Sequence, residues 1–112
     1  MTRYQGQQTE HHAELWLKQQ GLQLITRNFR CRYGEIDLIM QQQDTLVFVE
    51  VRLRRSKDFG GAAASITNAK QQRIIHTAQY YLQQHGLNCP CRFDAVVSDG
   101  KQLQWIKNAF SA

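Results

Sequence analysis

This sequence has little proline, few cysteines and no long apolar run, and each shortage excludes something. The single proline is Pro90, so no proline-rich linker divides the chain. No apolar stretch approaches the ~18 residues that a membrane-spanning helix needs, which argues against a membrane partner. The opening residues, Met1 to Gly6, lack the apolar segment of a secretory leader. Cysteine occurs three times, at Cys31, Cys89 and Cys91. That odd number does not suit a disulfide framework and fits a cytoplasmic protein. Cys89-Pro90-Cys91 with His85 does not complete a four-ligand zinc site, and its spacing matches no familiar frame. Repeats, heptad arrays and low-complexity tracts are absent, although glutamine is abundant.

What is present describes a small globular unit. The 112 residues have the length of one domain, taken as residues 1–112, with enough chain to bury about two-thirds of its unfolded surface. Hydrophobic residues make up 42% and charged residues 21%, ordinary values that exclude disorder. The 14 Lys+Arg against 9 Asp+Glu leave a net charge of +5. The arginines cluster, as Arg27, Arg30 and Arg32 and again as Arg52, Arg54 and Arg55 with Lys57. Such a balance points to an anionic partner, of which nucleic acid is the commonest.

Hydrophobic spacing predicts the elements. Ala13, Trp16 and Leu17 recur at helical intervals and predict a helix over Glu10 to Gln20, capped by Thr9 and stopped by Gly21. Leu22 to Phe29 reads as a strand with an irregularity near Asn28. Gly34 then reverses the chain into a second strand, Glu35 to Met40, and a turn at Gln42-Gln43-Asp44 leads to a third, Thr45 to Leu53. After a loop containing Gly60 and Gly61, a helix is predicted over Asn68 to His85, with Ile74, Ile75, Ala78 and Leu82 as its buried stripe. Two last strands, Arg92 to Ser98 and Gln102 to Ile106, flank an Asp99-Gly100 turn. The order αβββαββ makes an α/β protein, and the helix between the third and fourth strands implies that these two run parallel. Phe93, Phe110 and Trp16 read as core, and one of Tyr80 and Tyr81 is expected to pack on the sheet.

The chemistry lies in two acids on the central strands. Glu50 interrupts the apolar run Leu46-Val47-Phe48-Val49 and Val51, where a charge is costly unless something pairs with it. Asp37 sits on the preceding strand, with Glu35 on the same face by alternation. Two readings are open from the pattern alone. Asp37 and Glu50, with the Val51 carbonyl, would form a half-shell for Mg2+ or Mn2+ completed by water and phosphate; alternatively, the acids are salt-bridged within the sheet.

Gly34-Glu35-Ile36-Asp37-Leu38-Ile39 followed by Val47-Phe48-Val49-Glu50-Val51-Arg52 resembles the YraN-like family of uncharacterised bacterial proteins. Gly6, Glu10, Ala13, Asn28 and Phe59-Gly60 match it too, as do Lys70 with Arg73, Arg92-Phe93-Asp94 and Asn108-Ala109-Phe110. That family is similar to Holliday-junction resolvases and restriction enzymes of the PD-(D/E)xK nuclease superfamily. The resemblance implies a restriction-endonuclease-like αβββαβ core, a mixed central sheet with helices packed on it. It further implies a metal-dependent endonuclease of DNA repair or recombination, acting on branched or damaged DNA, with a homodimer by analogy to resolvases.

Residue by residue, the resemblance places metal on Asp37, Glu50 and Glu10. Arg52 stands where the superfamily has lysine; it would orient phosphate, but an arginine does not readily serve as a base. Lys70 is the candidate amine from another element. Arg54, Arg55, Lys70 and Arg73 are the expected nucleic-acid contacts. A module that kept the fold and lost hydrolysis is the alternative.

Overall fold

The computed structural model describes residues 3–54 and 66–112. Along them run α1 (Arg3–Gln19), β1 (Gln23–Cys31), β2 (Gly34–Gln42), β3 (Thr45–Leu53), α2 (Asn68–Gln84), β4 (Cys91–Ser98) and β5 (Leu103–Phe110). The first six elements have the αβββαβ order of a restriction-endonuclease-like core. The strands form one sheet in the order β1-β2-β3-β4-β5. Short turns make β1–β2, β2–β3 and β4–β5 antiparallel, whereas the return through α2 makes β3–β4 parallel.

Both faces of the sheet are covered, which explains the nearly continuous apolar run of β3. On one face Ile74, Ile75, Ala78 and Tyr81 of α2 pack with Ile39, Phe48, Phe93 and Phe110. Phe93 stacks between Phe48 and Phe110, with ring centroids 5.5 and 5.1 Å apart. On the other face Ala13 and Leu17 of α1 pack with Leu38, Met40, Val47, Val49 and Val96. Both helices close with the same pair of bonds. In α1 the Gly21 N–H donates to the Lys18 carbonyl and the Leu22 N–H to that of Leu17, with Gly21 left-handed at φ 99°. In α2 the Gly86 and Leu87 N–H groups bond the Gln83 and Leu82 carbonyls in the same pattern. Among the described residues, no helix is long and apolar enough to cross a membrane.

Two boundaries differ from expectation by more than two residues, and one expected irregularity gains a companion. Helix α1 begins at Arg3, not at Glu10, because the preceding turns are almost wholly polar and offer a hydrophobic period nothing to register. The irregularity expected near Asn28 resolves into two: a register shift between Leu24 and Thr26, and a left-handed Asn28 at φ 51°. Strand β5 continues past Ile106 to Phe110 through a second register shift, with Asn108 at φ 54°. Bulges of this kind interrupt the alternation that reveals a strand. The expected loop with Phe59 and Gly60, together with Arg55 and Lys57, lies outside the described residues.

Candidate active site

Strands β2 and β3 pair from Gln42↔Thr45 to Leu38↔Val49. At the next position a side chain replaces the backbone ladder: the Val51 N–H donates to Asp37 Oδ2 at 2.8 Å. The alternation of β2 breaks here as well, since Ile36 joins the α2 cluster and Leu38 the α1 cluster. On β1, Arg27 pairs with Leu38 and Phe29 with Ile36, so the left-handed Asn28 falls opposite Asp37. The break leaves Asp37 and Glu50 side by side at the end of the β2–β3 ladder, 7% and 5% exposed.

The first turn of α2 closes over them. Thr67 caps the helix by accepting the Lys70 N–H at 3.2 Å, and the Lys70 side chain donates to Glu50 Oε1 at 2.7 Å. Arg52 Nη1 stands 3.8 Å from the same oxygen. A cavity of about 170 Å3 results, lined by Gly34, Glu35, Asp37, Glu50, Lys70, Arg73 and Ile74. Gly34 allows the close approach of α2: with φ at 149°, an added Cβ would lie 3.3 Å from Thr77 Oγ1 and 3.6 Å from Arg73 Cβ.

The cluster concentrates negative charge. Burial, and then the neighbouring Glu50 carboxylate, push the Asp37 pKa up to about 8 against the opposing Val51 N–H. Glu10, on α1, is raised by burial first and then by Glu35 and Glu50, against a hydrogen bond with Asn28. Glu10 lines a separate cavity with Arg27, Asn28 and Leu38, and feels the charge of the acid cluster from there. Among the described residues, no three His, Cys, Asp or Glu side chains form a ready-made metal shell. The oxygen donors of Asp37 and Glu50, whose mutual repulsion a divalent cation would relieve, suit an ion that takes one or two carboxylates and completes its shell with water and phosphate.

The other expected residues divide. Arg73 lines the cavity beside Lys70, and Glu35 lines it while bonded to Arg30. Arg54 is elsewhere: its N–H bonds the Ser98 carbonyl, and it borders a separate cavity with Asp99 and Gln102. Arg55 lies outside the described residues. Two further acids are buried: Glu14, and Asp94, which the sequence suggests as a cap or turn partner. Glu14, 1% exposed, is clasped by Arg27 at 2.6 and 2.9 Å and by Lys18 at 2.8 Å. Asp94 is fully buried and accepts four bonds at 2.9 Å, from Arg92 Nε and Nη2, Trp105 Nε1 and the Asn108 N–H. A clue to Glu14 was its place one position after Ala13 on the apolar side of α1; the Asp94 cluster had no comparable signal, since its donors come from two strands.

Sequence comparison places relatives beside this geometry. The model of a family described as "Uncharacterised protein family UPF0102" matches residues 9–97. A UPF0102 protein of Janthinobacterium sp. (strain Marseille) is 58% identical over 107 residues, covering 96% of this chain and 87% of its own. One from Nitrosomonas europaea is 56% identical, covering 94% and 92%, and one from Methylobacillus flagellatus is 54% identical, covering 96% of each.

Proposed function

The chain belongs to the uncharacterised protein family UPF0102, and we propose that its acid cluster hydrolyses phosphodiester bonds in DNA as a Mg2+- or Mn2+-dependent endonuclease. The observation that carries this reading is the Lys70 ammonium at 2.7 Å from Glu50, beside Asp37. It returns an amine to the centre where Arg52 stands in the position of the usual lysine.

The residues divide the work. Asp37 and Glu50 would hold the cation, which when bound supplies an activated water and offsets charge on the phosphate. Lys70 holds the Glu50 carboxylate in place and presents its remaining N–H donors to the charge that builds on the phosphate oxygens. Arg52 and Arg73 orient the phosphate, a task that suits the planar guanidinium. Glu10 adds negative field from α1. Branched or damaged DNA, a role in repair or recombination, a cytoplasmic setting and a homodimer making paired cuts belong to the same proposal. The rival is a binding module that kept the fold and lost hydrolysis, favoured by Arg52 in the position of the usual lysine, since an arginine does not readily give up a proton.

Mn2+ titration by calorimetry, with and without a short branched DNA, separates the two when combined with a cleavage assay. The endonuclease binds Mn2+, loses that binding in Asp37→Asn, and loses roughly 100-fold or more of its cleavage rate in Lys70→Ala. DNA bound without Mn2+ uptake or cleavage by the wild type would establish the module.

A further inference from the structure

A larger cavity is lined by residues next in the chain to those of the acid cluster. It measures about 520 Å3 and is lined by Arg32, Tyr33, His76 and Tyr80 with three glutamines of α2. Both of its walls continue those of the first site. Tyr33 precedes Gly34 in the β1–β2 turn, and His76 follows Arg73 by three residues, on the same stripe of α2.

The lining is aromatic and basic. The Tyr33 ring stands 5.9 Å from His76 and 6.2 Å from Tyr80, each inclined by 61°. The Arg32 guanidinium lies 4.9 Å from the Tyr33 ring centre, and its Nη2 donates to the Tyr33 hydroxyl at 2.8 Å. None of the described lining residues is acidic. Tyr33 is 39% exposed, whereas Tyr81, which fills the core, is 6% exposed. Folding thus leaves Tyr33 on display while Tyr81 serves the core.

Exposed aromatic rings beside an arginine receive a planar base and its phosphate, a combination that tolerates any base because each has a π-face. A base within a continuous duplex is already stacked and cannot enter a concave cleft without unstacking. We propose that the Tyr33–His76–Tyr80 cleft stacks an unpaired nucleotide of a DNA strand that runs along α2 into the acid cluster. This inference rests on the endonuclease reading for its direction, and it specifies the substrate class: DNA with a single-stranded segment next to the cut, as at a flap, fork or gap.

The test uses a short single-stranded oligonucleotide carrying 2-aminopurine, whose fluorescence falls on stacking, and a matched duplex. Wild type, Tyr33→Leu, Tyr33→Trp and Asp37→Asn are compared by anisotropy, with thermal midpoints checking that each folds. Tyr33→Leu should weaken single-strand binding about tenfold and lose the quenching, with duplex binding unchanged. Tyr33→Trp should retain both. Single-strand affinity unchanged in Tyr33→Leu, or duplex affinity lowered as much, would overturn the proposal. Mn2+ binding without DNA tests the acid cluster separately. If Asp37→Asn leaves Mn2+ uptake intact while the Tyr33 results hold, the endonuclease reading fails and the stacking cleft stands.

Discussion

At Asp37, burial and Glu50 oppose the charged carboxylate, while the Val51 N–H and Lys70 favour it. The unfolded chain holds this acid near 3.8 and the folded chain near 8, so the folded state binds the extra proton between those values. Stability is therefore fully present below the lower value and is lost as the pH rises through the upper one. Asp37→Asn keeps an acceptor for Val51 and removes the titration. Urea denaturation at several pH values should show its advantage over the wild type widening across that window; a constant difference would contradict the burial argument. An acid retained at such a cost is characteristic of a functional centre.

Elements are pinned to one another by the two other buried acids. Glu14 ties α1 to β1 through Arg27, whose hydrogen bond is the main cause that brings the Glu14 pKa down to about 2 from 4.5. The sign is opposite to that of Asp37. The contribution is present above 4.5 and lost as the pH falls through about 2. Glu14→Gln should accordingly unfold at milder acid than the wild type, with the difference closing near the lower value. Asp94 in turn holds β5 by binding Trp105 and the backbone of the Asn108 bulge, and Trp105 meets Trp16 of α1 edge-on, with centroids 6.4 Å apart. Removing this carboxylate leaves the Arg92 charge, the Trp105 indole N–H and the Asn108 N–H without their acceptor. Asp94→Ala should cost about 3–5 kcal/mol, and hydrogen exchange should quicken first along β5.

For the whole molecule, the net charge of +5 does not say which basic residues face a ligand. Arg27, Arg30 and Arg92 are each bonded to an acid away from the cluster, whereas Arg73 lines the acid-cluster cavity, where Lys70 is bonded to Glu50. The salt dependence of single-strand binding should tell them apart. Arg73→Ala should reduce the slope of log affinity against log salt by roughly 0.7, the value for one phosphate contact. Arg92→Ala should lower stability and leave the slope unchanged. Equal slopes for both variants would remove Arg73 from the binding track.

The sequence by itself determined the order of elements, because apolar spacing is a local property that each helix and strand carries within its own residues. Strand β3 matches its expected span, Thr45 to Leu53, since an unbroken apolar run needs no partner to be recognised. Asp37 and Glu50 were legible for the converse reason: an acid within such a run is conspicuous. The irregularity at Asn28 was legible, whereas the shift between Leu24 and Thr26, the extension of β5 through Asn108 and the apolar-poor start of α1 were not. Only the tertiary structure decided which charges meet. Lys70 reaches Glu50 from another element, Arg27 turns to Glu14, and Tyr33 faces α2 across a turn, because these pairings depend on the packing of helices on the sheet. The spacing of residues along the chain does not encode those distances.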